Sequence, residues 1–272
     1  MATTTITKRV ITALIIGGLW LWLLFFGSFP LFWMFMTLVA GVVMWEYLAA
    51  VLQHEPRSML AIGVGLGSLP MLASYYGAPE ITNVALIVAF LLTILLVIIR
   101  YAHLQDPFPI LCRLAFGLML VGFFASHLPL LMRLPAGNLA LLFLTAITIA
   151  ADSTAFFTGK FMGRTPLCPA VSPKKTVEGL IGGMIGAVGA ALLVAVLFFP
   201  NFSPLRTVIL ALLLAAISVV GDLAESVVKR WAGVKDSGSL LPGHGGLFDR
   251  VDSLLLTAPV FFYLYYWDIL RP

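Results

Sequence analysis

The chain has 272 residues, of which 61% are hydrophobic and only 10% charged, and its mean hydropathy is +1.06. Soluble domains carry roughly 45–50% apolar residues, so a water-soluble globular fold is excluded and an integral membrane protein is implied. The net charge of +4 needs no nucleic acid to explain it, because the excess falls on loops that would lie beside an anionic lipid leaflet.

Crossing a hydrocarbon core of about 30 Å takes roughly 20 helical residues. Apolar runs of that kind recur at 10–26, 29–52, 59–76, 81–99, 110–132, 138–159, 179–200, 205–228 and 253–270. They are continuous runs of Leu, Ile, Val, Phe and Ala, not the short alternating segments of a membrane barrel. The expected fold is therefore all-α: a polytopic membrane protein of about nine transmembrane helices, forming one membrane domain over 1–272. The first run follows Lys8 and Arg9 and has no small-residue cleavage site after it, so it reads as a retained span.

Lysine and arginine placement sets the orientation, since cytoplasmic loops retain positive charge. With the N-terminus inside, the cytoplasmic face collects Lys8, Arg9, Arg57, Arg100, Arg113, Lys160, Arg164, Lys174, Lys175, Lys229, Arg230, Lys235 and Arg250. The outer face keeps Arg133, Arg206 and Arg271. One missed or invented span would invert every later loop and destroy this asymmetry. Cys112 falls in a span and Cys168 in a cytoplasmic loop, a reducing compartment where a disulfide is not expected.

Residues 1–150 carry few ionisable side chains and read as scaffold, whereas more than half of all charged residues lie between 152 and 252. Gly63, Gly65 and Gly67 resemble a piece of a dinucleotide fingerprint, but no strand precedes them and helix packing explains them better. Asp152 stands alone in the sixth span. In Ser172-Pro-Lys-Lys-Thr-Val-Glu-Gly179, Pro173 fixes a turn and two lysines stand just ahead of a helix start, a place suited to phosphate. Ser172, Thr176 and Glu178 fit a helix-start pattern. Gly179, Gly182, Gly183 and Gly186 form two overlapping small-xxx-small pairs that let helices approach closely.

Asp222, Glu225 and Lys229 share one face of the eighth span near its cytoplasmic end, where unpaired carboxylates would cost several kcal/mol each. Residues 226–252 then hold seven charged residues and His244: Lys229, Arg230, Lys235, Asp236, Asp249, Arg250 and Asp252. Asp249 and Asp252 repeat an i, i+3 pattern at the start of the ninth span. Two carboxylate pairs on successive spans can converge on a hard cation such as magnesium.

The stretch Ser226–Asp252, with Lys229-Arg230, Lys235-Asp236, Pro242-Gly-His-Gly-Gly246 and Asp249-Arg-Val-Asp252, resembles the signature of the phosphatidate cytidylyltransferases, also called CDP-diacylglycerol synthases. Ser172–Gly179 is similar to that family's second motif, as are Asp152 and Gly221-Asp222; residues 1–150 match only as a generic polytopic region. The resemblance implies CTP plus phosphatidate giving CDP-diacylglycerol and pyrophosphate, with Mg2+ as cofactor and a second metal or potassium left open.

On this reading Asp222 and Asp249 are metal ligands, and Glu225 and Asp252 are weaker ligands or support them. Lys174, Lys175, Lys229 and Arg230 hold the triphosphate or the lipid phosphate. His244 either donates to the leaving pyrophosphate or structures its loop. Asp152, Ser172, Thr176, Lys235, Asp236 and Arg250 complete the substrate-binding set. The partners implied are CTP and phosphatidate from the cytoplasmic leaflet of a bacterial inner membrane, with a homodimer left open. Two alternatives stand beside it: a CTP-dependent lipid-alcohol kinase, which needs a base to deprotonate its acceptor, and an ion-coupled transporter, against which the acids' place at cytoplasmic span ends argues.

Overall fold

The computed structural model describes residues 2–238 and 245–269, so His244 and Arg271 lie outside the described residues. The helices are α1 (Ala2–Phe26), α2 (Phe29–Val51), α3 (Arg57–Gly67), α4 (Leu69–Ala73), α5 (Pro79–Arg100), α6 (Pro107–Gly117), α7 (Phe124–Met132), α8 (Gly137–Met162), α9 (Val177–Phe198), α10 (Pro204–Ala232) and α11 (Phe248–Tyr266). Strands β1 (Pro166–Cys168) and β2 (Ser172–Thr176) form an antiparallel hairpin between α8 and α9. It is a small departure from the all-helical expectation, at the segment that reads from sequence as a turn.

Prolines explain several helix starts. Pro30, Pro79 and Pro107 sit at the first or second position of α2, α5 and α6, where a missing N–H costs nothing. The third span is broken: α3 ends at Gly67, and Pro70, which cannot donate to the preceding turn, opens α4. The fifth span joins α6 to α7 through a π-helical stretch, Leu118–Phe123. There Gly122 lies against the carbonyl of Gly67, leaving no room for a Cβ.

Seven helical segments among the described residues are long and apolar enough to cross a membrane: Phe29–Val51, Arg57–Tyr76, Pro79–His103, Pro107–Met132, Gly137–Met162, Val177–Phe198 and Pro204–Ala232. The chain is thus a multi-pass, essentially all-α membrane protein. The remaining two expected spans coincide with α1, whose apolar part is Ile11–Phe26, and with α11, which begins with the charges Asp249, Arg250 and Asp252.

The chain divides into two compact units. The first comprises Met1–Arg133 and Ala232–Val251, and its core holds Phe32, Tyr47, Leu48, Met59, Met71 and Leu128. The second comprises Leu134–Trp231 and Asp252–Pro272. In it Phe143 stacks on Phe261 at 5.8 Å between ring centroids, and the Tyr265 hydroxyl donates to the Pro135 carbonyl at 2.8 Å. This contact boundary at residue 133 is distinct from the charge boundary near residue 150.

Candidate active site

The second unit assembles a charged cluster from three elements. Helix α10 presents Asp222, Glu225 and Lys229 at i, i+3 and i+7, and α11 adds Asp252. One oxygen from each of Asp222, Glu225 and Asp252 lies within 4.8 Å of the others. Gly221 makes this possible. A Cβ there would sit 2.8 Å from the Asp252 carbonyl oxygen, so α10 and α11 approach as only a glycine permits.

Carboxylates that close repel one another unless cations intervene. Two lysines do so: Lys175 Nζ lies 2.6 Å from Asp222 Oδ2, and Lys229 Nζ 2.9 Å from Glu225 Oε2. Glu225 is only 3% exposed. Asp152 on α8 belongs to the same unit and is exposed. A set of carboxylate oxygens suits a hard cation of the magnesium or calcium type and not a thiophilic metal.

The hairpin delivers Lys175. Ser172 pairs with Cys168 and Thr176 with Pro166 across it, and the Arg230 Nε donates to the Val171 carbonyl at 3.2 Å, tying the end of α10 to the hairpin turn. Thr176 caps α9, its hydroxyl accepting from the Gly179 N–H at 3.1 Å. Glu178 accepts from the N–H groups of Arg164 at 3.0 Å and Thr165 at 3.1 Å. Lys174, on the opposite face of the strand, is exposed. Alongside, α9 lies on α8 with Gly179 and Gly183 against the Ala155 and Ala151 carbonyls, and Gly182 and Gly186 against Thr158 and Thr154.

The first unit holds the other part of the charged stretch. Helix α10 ends where Gly233 adopts φ +69°, the left-handed conformation common after a helix C-terminus. Lys235 and Asp236 follow, both exposed. Asp249 in the first turn of α11 accepts from the N–H groups of Ser237 (3.1 Å) and Gly246 (2.9 Å), and Arg250 beside it is exposed. Of the four acids read as ligands, Asp222, Glu225 and Asp252 form the three-carboxylate group, while Asp249 holds together the two described flanks of the segment 239–244. The i, i+3 spacing of Asp249 and Asp252 hides this division of labour.

One residue of this region escapes the sequence reading. Glu46, in the second half of the otherwise apolar α2, is 7% exposed. Its Oε2 accepts from the Phe248 N–H at 2.8 Å and the Ser237 hydroxyl at 3.3 Å. The signal was available: Glu46 is the first acidic residue in the chain and stands inside a span, where a carboxylate is functional by default.

Residues 7–267 match the model of the cytidylyltransferase family. Among curated relatives, the phosphatidate cytidylyltransferase of Pseudomonas aeruginosa is 35% identical over 260 residues, covering 93% of this chain and 94% of its own length. The Brucella abortus phosphatidate cytidylyltransferase is 36% identical over 263 residues, 93% of this chain and 91% of the relative. An uncharacterized Escherichia coli protein, YnbB, is 43% identical over 152 residues, a match that spans 54% of this chain and about half, 51%, of the relative.

Proposed function

The chain belongs to the cytidylyltransferase family, and from that premise we propose that it transfers the cytidylyl group of CTP to phosphatidate, giving CDP-diacylglycerol and pyrophosphate. The observation that carries this reading is the second-unit cluster, in which Asp222, Glu225 and Asp252 lie within 4.8 Å of one another and Lys175 and Lys229 are paired into it at 2.6 and 2.9 Å. Three acids and two ammonium groups are the means by which a protein handles a polyanion and its counter-ion together.

The acceptor needs little activation. A phosphate monoester has a second pKa near about 6, so the attacking oxygen of phosphatidate is largely ionised at neutral pH and no strong base is required. That oxygen forms a bond to the α-phosphorus of CTP, and the bond from this phosphorus to the oxygen bridging to the β-phosphate breaks. Pyrophosphate leaves with the bonding pair, and nothing is oxidised or reduced. The difficulty is to bring two polyanions together, which calls for positioning and cationic stabilisation.

Lys175 and Lys229 would turn from their carboxylate partners toward phosphate oxygens. The exposed Lys174 and the hairpin-tied Arg230 would hold the outer phosphates. We assign Mg2+ to Asp222, Glu225 and Asp252, where it would neutralise charge on the phosphate oxygens. On the same reading the protein sits in a bacterial inner membrane with nine spans, α1 and α11 joining the seven strongly apolar ones. The N-terminus and the active site face the cytoplasm, as the lysine and arginine asymmetry supports and as cytosolic CTP and inner-leaflet phosphatidate require. The family match favours cytidylyl transfer over the lipid-alcohol kinase and transporter alternatives.

The test uses purified protein, phosphatidate, magnesium and CTP labelled at either the α- or the γ-phosphate. Cytidylyl transfer carries only the α-label into the lipid phase. Lipid-phase γ-label would establish a kinase instead, and no lipid-phase label from either position would refute the proposal.

A further inference from the structure

A carboxylate within an apolar span is expensive, costing several kcal/mol when left without partners, so its partners identify what it is retained for. Glu46 belongs to α2, in a region whose composition reads as scaffold, and it is buried. Among the described residues, its two hydrogen-bond donors come from the signature stretch about two hundred residues later. The Phe248 N–H donates at 2.8 Å and the Ser237 hydroxyl at 3.3 Å, both to Oε2. The Phe248 N–H belongs to the first turn of α11, one of the amides that no helical carbonyl satisfies, and a carboxylate there is favoured by the helix dipole.

The packing around Glu46 is built to that contact. A Cβ at Gly238 would lie 2.5 Å from Glu46 Oε1, and one at Gly246 would lie 2.7 Å from Glu46 Oε2. A side chain at either glycine would push against the Glu46 carboxylate, and at Gly246 against the Ser237 hydroxyl as well. The next residue of α2 adds an apolar contact: the Tyr47 ring meets the Phe248 ring edge-on at 6.0 Å, with both side chains almost fully buried. Tyr47 is in turn fixed by its hydroxyl, which donates to the Arg113 carbonyl at 2.9 Å. Asp249 ties the same two flanks through the N–H groups of Ser237 and Gly246.

We propose that Glu46 is a positioning residue for the transfer reaction: it clamps Ser237-Gly238 to Gly246–Phe248, the described flanks of the segment 239–244, and thereby sets Asp249 and the start of α11. The inference rests on the cytidylyltransferase reading, because the signature stretch matters to catalysis only if that reading holds. Glu46 touches no substrate; it acts through Ser237, Phe248 and Asp249. A carboxylate serves here better than an amide, since the amide of Gln lacks the charge that the α11 N-terminus favours and makes weaker hydrogen bonds.

The experiment compares wild type with Glu46→Gln, Glu46→Ala and Ser237→Ala in detergent, reading two quantities. The first is amide hydrogen exchange, by mass spectrometry, in peptides covering 232–251. The second is the kcat and KM for CTP with phosphatidate in excess. The clamp predicts faster exchange in those peptides for both Glu46 variants, at least about tenfold for Glu46→Ala, with peptides from α8 and α9 unchanged. It also predicts that kcat/KM falls in the order Ser237→Ala, Glu46→Gln, Glu46→Ala, reaching about 10- to 100-fold, a span of the size seen when positioning is lost by fractions of an ångström. Should Glu46→Ala not fold, Glu46→Gln and Ser237→Ala carry the comparison. Unchanged exchange at 232–251 in the Glu46 variants overturns the clamp, and faster exchange with wild-type kcat/KM overturns its catalytic role. A wild type that transfers no label would instead refute the cytidylyltransferase reading, while the exchange data would still decide whether Glu46 holds the two flanks together.

Discussion

Replacing Asp222 by Asn keeps side-chain volume and removes one charge from the centre of the second-unit cluster. Its direct partner is Lys175, whose ammonium lies 2.6 Å away, with side-chain exposures of 22% for Lys175 and 35% for Asp222. At that separation and an effective dielectric constant of about 20, the gross attraction is about 6 kcal/mol. Most of it is offset by desolvation and screening. Fully buried pairs lose about 3–5 kcal/mol when one partner is removed and exposed pairs about 0–1, so this partly exposed pair should lose roughly 1–2 kcal/mol of stability. Part of even that is returned, because the substitution also relieves repulsion among carboxylates within 4.8 Å of each other.

The catalytic cost should be larger. Losing a group that stabilises charge in the transition state typically costs about 10²–10³ in rate, and a hundredfold is about 2.7 kcal/mol of barrier at about 1.36 kcal/mol per tenfold. The assay is lipid-phase incorporation of α-labelled CTP across a magnesium titration, run beside a thermal unfolding curve in the same detergent. Asp222→Asn should fold, lose a degree of stability too small to explain its inactivity, and require more magnesium to reach its residual rate. A well-folded Asp222→Asn protein with near-wild-type turnover at every magnesium concentration would refute the metal assignment and the charge reasoning behind it.

Other substitutions separate roles that the sequence leaves merged. Lys175→Gln should raise the CTP requirement at least tenfold at low salt and by less at high salt, where the lost charge contact is already screened, whereas Lys174→Gln, exposed on the hairpin, should have the smaller effect of the two; equal effects would remove the distinction drawn from the Lys175–Asp222 pair. Thr176→Ala deletes the cap of α9 and should lower stability by about 1 kcal/mol, as cap losses do, visible as a lower unfolding midpoint. Gly182→Val places branched methyl groups against Thr158 and should destabilise the α8–α9 pair by more than the roughly 1–3 kcal/mol typical of overpacking; an unaltered midpoint would contradict the close approach of these helices. In a cysteine-free background, single cysteines at positions 174 and 237 should label only from the cytoplasmic side and one at 272 only from outside, and cytoplasmic labelling at 272 would mean an even number of spans.

Much of the helical layout is readable from hydropathy alone, because lipid leaves a spanning segment little choice but a helix. What hydropathy does not carry is the interruption of such a segment. The break before Pro70 has an explicit signal in the residue that cannot donate, whereas the π-helical stretch Leu118–Phe123 has none beyond Gly122 and its neighbour across the packing. The hairpin Pro166–Thr176 was missed for a different reason. Ser-Pro-Lys-Lys-Thr lacks the alternating apolar pattern of a strand, and its two short strands are held by one another and by Arg230, a partner far away in sequence.

The acidic residues show where spacing stops being informative. On α10, the i, i+3 relation between Asp222 and Glu225 does put both carboxylates into one group, since both lie deep in a regular helix. The same spacing at the start of α11 does not do this for Asp249 and Asp252. A residue in the first helical turn faces the chain that leads into it, so the Asp249 carboxylate is taken by amides of Ser237 and Gly246, and only Asp252, beyond that turn, reaches Asp222 and Glu225. Glu46 is the converse case, a single charge with no local pattern, whose partners lie at 237 and 248. For a signature rich in glycine and acid, helical periodicity therefore predicts function only for carboxylates more than one turn inside a helix. Those at the boundary must be assigned by asking which backbone amides would otherwise be left without an acceptor.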